Sequence, residues 1–294
     1  MIDHVALPRT DGTPHPPRYL LHPLRPVARW IIRRRYRVVV HHAERVPVTG
    51  PVVLAANHAG VIDGPLLAIF APRPVHALTK SEMFEGRLGG FLLRSGQVPL
   101  DRFRTDVAAV RSCLRVLRDG GVVGIFPEGR RGSGELERFH RGTAYFALAA
   151  GAPVVPVSMF GTREPGGSSG SLPRRGATLH LVVGRPVDVP HQPWPRTREQ
   201  VGELSRSLWE HMRAELDAAR RETGGILPGP LPLGELEPDP ATGVGSPRTR
   251  TEPAPSTRPS TRPSTPPSTP LPPAPGSTIH TDGHEAARHE PGAP

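Results

Sequence analysis

His58 and Asp63 stand five residues apart in the stretch AANHAGVIDG, residues 55–64. A neutral imidazole takes a proton from a hydroxyl near pH 7. A carboxylate on its other ring nitrogen fixes the tautomer and stabilises the imidazolium that forms. Gly60 lies between the two and lets the chain bend enough to bring them together. No serine or cysteine stands in a G-x-S-x-G elbow, so the pair would activate a substrate hydroxyl or water. Two plainer readings compete. Asp63 precedes GPLLAIF and is placed to cap a helix there, with His58 an ordinary loop residue. A metal pair lacks a third ligand at a recognisable spacing, so no metal is expected.

A second stretch, FPEGRRGSGEL, holds Glu128, Gly129, Arg130 and Arg131. Backbone N–H groups and guanidinium forks in such a loop suit a phosphate. Taken alone the signal is weak, because glycine and arginine are common in turns.

These stretches need strands and helices to position them. RVVV, GPVVLAAN, GVVGIF, APVVPVSMF and TLHLVVGRPV are short apolar, largely β-branched runs bounded by turn residues and read as strands. PLLAIFA, DVAAVRSCLRVLRDGG, GTAYFALAAG and REQVGELSRSLWEHMRAELDAARRE read as helices. Strands alternating with helices predict an α/β fold, a single domain with a largely parallel central sheet flanked by helices. Sites in such sheets sit at the carboxyl ends of strands. NHAGVID and PEGRRG both follow strands, so both are expected on one edge. Residues 19–37 mix Trp30, Ile31 and Ile32 with six arginines. Such a helix lies in a membrane interface or packs on the domain with its arginines outward.

Composition divides the chain. From residue 223 it turns to Pro, Ser, Thr and Gly, and such a segment buries too little apolar surface to offset the cost of ordering it. The expected organisation is a flexible start at 1–18, a folded domain at 19–222 and a disordered tail at 223–294. The net charge is +10, the tail holds five arginines and seven acids, and the remainder therefore carries +12. Lys80 is the only lysine. A basic body points to an anionic partner: a phosphorylated substrate, an anionic membrane or nucleic acid. No helix-turn-helix or zinc signature supports nucleic acid. Cys113 is the single cysteine, which excludes a disulfide framework and cysteine-based zinc. The first residues lack the apolar core of a signal peptide, and no apolar run reaches the length of a membrane span. A cytoplasmic protein that touches the membrane surface is expected.

The order NHAGVID, SGQVPLDR, FPEGRR and APVVPV resembles the glycerolipid acyltransferase family, whose best-known members are lysophosphatidate acyltransferases. Asn57, His58 and Asp63 match its N-H-x-x-x-x-D motif. Lys80, Glu82 and Met83 match the K-x-E-[LM] stretch, and Gly96 and Arg102 match the second motif. Phe126, Pro127, Glu128, Gly129 and Arg131 match F-P-E-G-[TS]-R, with Arg130 in place of the usual small hydroxyl residue. Pro156 matches the proline of an apolar strand in the fourth. The resemblance covers about residues 38–190. It implies that His58 is the general base, oriented by Asp63. It implies a phosphate site of Arg102, Glu128, Gly129 and Arg131 with Lys80 as helper, and Asn57, Gly60, Pro127 and Pro156 as structural neighbours. The implied donor is acyl-CoA or acyl-carrier protein, the acceptor a lysophospholipid, and no cofactor is required. The implied location is the inner face of the cell membrane, bound peripherally. Glycerol 3-phosphate or another lysolipid is the alternative acceptor. A basic nucleic-acid binder or a non-catalytic interaction protein is the alternative of another class.

Overall fold

The computed structural model describes residues 8–235 and the backbone of Gly243–Val244. Its elements run α1 (Leu24–Arg35), β1 (Arg37–His41), β2 (Val52–Ala56), α2 (Asp63–Phe70), β3 (Val75–Lys80), α3 (Gly86–Arg94), β4 (Val98–Leu100), α4 (Val107–Arg118), β5 (Val122–Ile125), β6 (Phe139–His140), α5 (Gly142–Ala150), β7 (Val154–Phe160), β8 (Thr178–Val183), α6 (Arg198–Thr223) and β9 (Gly243–Val244).

Seven strands form one sheet in the order β1-β8-β7-β2-β5-β3-β4. Strands β7, β2, β5, β3 and β4 all run the same way. The sheet reverses once, where β8 pairs antiparallel with β7 and β1 then follows β8 in parallel. The largely parallel α/β fold expected from the alternation is therefore present. The carboxyl ends of five strands share one edge.

Both faces of the sheet are covered, which is why its strands read as continuous apolar runs rather than alternating ones. In β2, Val53 and Ala55 join the core beneath α4, α5 and α6, while Val52, Leu54 and Ala56 join the core beneath α2. The period of two divides one strand between two layers. Helix α4 begins at Asp106, whose carboxylate accepts the Ala109 N–H at 2.9 Å. Helix α6 begins with a reciprocal capping box between Thr197 and Gln200.

Helix α1 meets the expectation of arginines facing outward at Arg33, Arg34 and Arg35, which are exposed, and departs from it at Arg25 and Arg29. It starts right after Pro23, and Pro26 falls in the first turn, where its missing N–H costs no helix bond. Arg25 and Arg29 turn inward and donate to the carbonyls of Ile69 and Ala71 at the end of α2. Val27, Trp30 and Ile31 are left exposed instead.

The folded region also extends beyond residues 19–222 at both ends. Arg118 donates to the Pro8 carbonyl and the Thr10 hydroxyl, each at 2.9 Å, and Arg115 reaches the Thr13 carbonyl at 3.3 Å. These bonds tie the first described residues to α4. After α6, Gly224 takes a left-handed conformation and residues 224–235 run back over the domain as a strap, with Leu227 and Leu231 buried. The remainder of the expected tail lies outside the described residues.

Candidate functional site

The site is built on the turn between β2 and α2. Asp63 is the first residue of α2, but the helix N-cap is Ile62 and carries no side-chain cap bond. The Asp63 carboxylate instead turns back over the loop. Its Oδ2 accepts the N–H groups of Ala59 at 2.7 Å and Gly60 at 2.8 Å, and lies 2.8 Å from His58 Nδ1. An ionised carboxylate only accepts hydrogen bonds, so Nδ1 carries the ring proton and Nε2 is the free acceptor. Asp63 is fully buried, whereas the His58 side chain is 17 % exposed. The aspartate orders the turn and orients the imidazole with the same oxygen.

Other contacts hold the imidazole still. The Phe126 ring stacks on it with centroids 4.2 Å apart. The His58 backbone N–H donates to Glu128 Oε1 at 2.8 Å, and its carbonyl accepts from Gly132 N–H at 2.9 Å. Asn57 is buried beside it and bonds both the N–H and the carbonyl of Met159 as well as the Gly134 carbonyl. The β2 turn is thus stitched to the loop after β5 and to the end of β7. Gly60 packs against Thr162 so closely that a Cβ would overlap the Thr162 carbonyl oxygen.

Glu128 does not face open solution as a phosphate ligand would. It is 5 % exposed and supports the backbone of His58. Burial, reinforced by the nearby Asp63 charge, pushes its carboxyl up to about 8. A buried acid that accepts a backbone N–H is a support for the turn. Gly129 has φ +70°, and a Cβ there would stand 2.7 Å from His140 Nε2, so glycine is needed on both counts. Arg102 follows β4 and donates to the Gly129 carbonyl at 2.7 Å. The Pro127 carbonyl accepts from His140 N–H at 2.7 Å. Arg131 reaches the other way and donates to the Ser169 carbonyl at 3.0 Å. Lys80 ends β3 on the same edge. Pro156 lies within β7 beside Ala55, and its carbonyl accepts from Gly184 N–H at 2.9 Å.

Arg163 was not legible as a site residue, yet it ties the site together. It follows β7 and is 2 % exposed. Its guanidinium donates to the carbonyls of Ala59 at 2.8 Å, Gly132 at 2.9 Å and Gly167 at 2.7 Å, and also to that of Gly229. Asp63 lies within its electrostatic reach. This positive charge offsets the buried carboxylate, whose Oδ1 has no hydrogen-bond partner. The rule that sites gather at carboxyl strand ends would have singled it out, since GTRE follows β7 directly. Among the described residues no group of three or more His, Cys, Asp or Glu side chains is arranged to hold a metal ion.

Residues 37–160 match the family model described as Acyltransferase, a span that holds His58, Asp63 and every other residue anticipated for the site. A 1-acyl-sn-glycerol-3-phosphate acyltransferase of Bacillus subtilis is 28 % identical over 188 residues, covering 62 % of this chain and 90 % of the relative. A chloroplastic 1-acyl-sn-glycerol-3-phosphate acyltransferase of Arabidopsis thaliana is 29 % identical over 166 residues, 52 % of this chain and 44 % of the relative. The chain therefore spans less than half the length of the plant protein. The crystal structure of the 1-acyl-sn-glycerophosphate acyltransferase of Thermotoga maritima aligns with 67 % of this chain and 81 % of its own, at 24 % identity and a TM-score of 0.47. Residues 37–160 thus match the acyltransferase family, and the chain is similar across that span to proteins named 1-acyl-sn-glycerol-3-phosphate acyltransferases.

Proposed function

We propose that the protein moves an acyl group from a thioester, acyl-CoA or acyl-carrier protein, to the free hydroxyl of 1-acyl-glycerol-3-phosphate, giving phosphatidic acid. The observation that carries this reading is the His58 Nδ1 to Asp63 Oδ2 contact of 2.8 Å, which leaves Nε2 as a proton acceptor on a partly exposed ring. In the scheme the acceptor oxygen attacks the thioester carbonyl as its proton passes to Nε2. Asp63 stabilises the resulting imidazolium. The tetrahedral intermediate collapses, the C–S bond breaks, and the departing thiolate takes the proton back from His58. No acyl-enzyme forms, and no resident cofactor has a step. General-base help of this kind supplies about 10²–10⁴-fold, and fixing both substrates supplies more.

Arg102 and Arg131 supply charge for the acceptor phosphate, with Lys80 on the same edge, while Glu128 acts through the backbone of His58. No helix among the described residues is long and apolar enough to cross a membrane. The reading places the protein at an anionic membrane surface through α1, whose Val27, Trp30 and Ile31 are exposed beside arginines.

The test is thiol release by purified protein with either donor. The acceptors are 1-acyl-glycerol-3-phosphate, glycerol 3-phosphate and a lysophosphatidylcholine in parallel. Release that depends on the first acceptor supports the reading. Release with glycerol 3-phosphate alone would move the substrate within the family, and release with none would remove the assignment.

A further inference from the structure

Beyond the residues matched by the family, the loop after β7 reads REPGGSSGS over residues 163–171. It folds on itself through Gly167 N–H to the Glu164 carbonyl at 2.9 Å and Ser171 N–H to the Ser168 carbonyl at 3.0 Å. Two arginines fix its orientation from below. Arg163 takes the Gly167 carbonyl at 2.7 Å and Arg131 takes the Ser169 carbonyl at 3.0 Å. With those carbonyls engaged, the Ser169 N–H points elsewhere. It donates to a carboxylate from 66 residues away, Glu235 Oε2 at 2.8 Å. The Ser168 hydroxyl bonds the same carboxylate, and the Arg163 charge acts on it. These contacts hold the Glu235 carboxyl below its usual range, the Ser169 N–H first among them.

A backbone N–H and a serine hydroxyl, over two guanidinium groups that hold the loop's carbonyls and lend positive charge from beneath, suit a phosphate. Arg163 links this place to the catalytic turn, because it feels both Asp63 and Glu235 and bonds the carbonyl of Ala59, next to His58. Glu235 arrives on the strap after α6. Gly225 lies against the Phe160 ring, Leu227 against Gly134, and the Gly229 carbonyl sits on Arg163. The strap is anchored by the buried Leu227 and Leu231, while Leu233 near its end is exposed, and its last described residue places a negative charge on the loop.

We propose that residues 166–171, backed by Arg131 and Arg163, form a cradle for a phosphomonoester, and that Glu235 occupies it as an internal competitor until the strap end lifts. The ligand's phosphate comes either from the lysolipid acceptor or from free phosphate. The link to turnover rests on the acyl-transfer reading above, whereas binding itself does not.

The experiment uses the full chain and the Glu235→Ala variant. Inorganic phosphate is titrated by calorimetry, and the KM for 1-acyl-glycerol-3-phosphate is measured alongside. If the closed strap hides most of the cradle, removing the carboxylate tightens phosphate binding by about tenfold or more. Adding Ser168→Ala to that variant reverses the gain. A lower acceptor KM in Glu235→Ala assigns the cradle to the acceptor. Tighter phosphate with an unchanged KM assigns it to free phosphate. Should Glu235→Ala fold poorly, Glu235→Gln keeps an acceptor for Ser169 N–H while removing the charge, and the same titration applies. Phosphate binding no tighter than wild type in the folded variant, or a gain that survives Ser168→Ala, overturns the cradle. The titration stands even if no acceptor supports thiol release, so the two readings fail separately.

Discussion

At the scale of single residues, one carboxylate oxygen does two things. Asp63 Oδ2 fixes the turn through two N–H groups and the imidazole through Nδ1. Asp63 therefore does not cap α2; it orders the turn before the helix and orients the imidazole. Asp63→Asn is expected to lower kcat by about 10²–10⁴-fold with a smaller change in KM, because the imidazolium loses its counter-charge. Steady-state kinetics on the folded variant checks this. Glu128 gives a prediction of a different kind. Its carboxyl is raised from 4.5 to about 8 in the folded protein. The folded state then holds a proton that the unfolded state has released, so stability falls as pH rises from about 4.5 to about 8. Glu128→Gln keeps an acceptor for His58 N–H and removes this slope, which denaturant unfolding at several pH values will read. The motif residues were legible because their types and order are specific. The role of Glu128 was not, because burial inverts what a carboxylate beside arginines suggests. Arg163 was missed because one arginine after a strand carries no pattern of its own.

At the scale of elements, β2, β5 and β7 stood out in the sequence because they are buried on both faces and therefore continuous in apolar residues. Strands β3 and β4 did not. VHALTK mixes polar and apolar residues and VPL is too short for a period to show. The strap escaped notice for a compositional reason: GGILPGPLPLGE looks like the proline-rich region that follows it, and its buried apolar side chains are few, Leu227 and Leu231. The close approach of β2 and β7 loops at Gly60 is a consequence of strand order. Gly60→Ala forces its Cβ into the Thr162 carbonyl and is expected to cost about 1–3 kcal/mol. Activity should fall further than stability does, since the displaced turn carries His58. Thr197→Ala removes one half of the α6 capping box and is expected to cost about 0.5–2 kcal/mol in urea unfolding.

At the scale of the whole molecule, charge and apolar exposure converge on α1. Arg25 and Arg29 are taken up by the carbonyls at the end of α2, Arg33, Arg34 and Arg35 are exposed, and Val27, Trp30 and Ile31 are turned out. Exposed apolar side chains beside exposed arginines suit a lipid interface, where the apolar groups are buried by the membrane and the arginines meet anionic headgroups. Binding to phosphatidylglycerol vesicles is expected to weaken as salt is raised from 0.1 M towards 1 M, because the screening length falls from about 10 Å to 3 Å. Trp30→Ser with Ile31→Ser should weaken it at every salt concentration. Vesicle cosedimentation that ignores both changes would separate α1 from the membrane.

The most direct measurement of the central claim is acceptor-dependent thiol release by wild type and His58→Ala, compared at equal folded concentration. If His58 is the base, release falls by about 10²-fold or more in the variant. Equal rates in the two proteins would contradict the account and leave the His58–Asp63 pair as an ordered turn only.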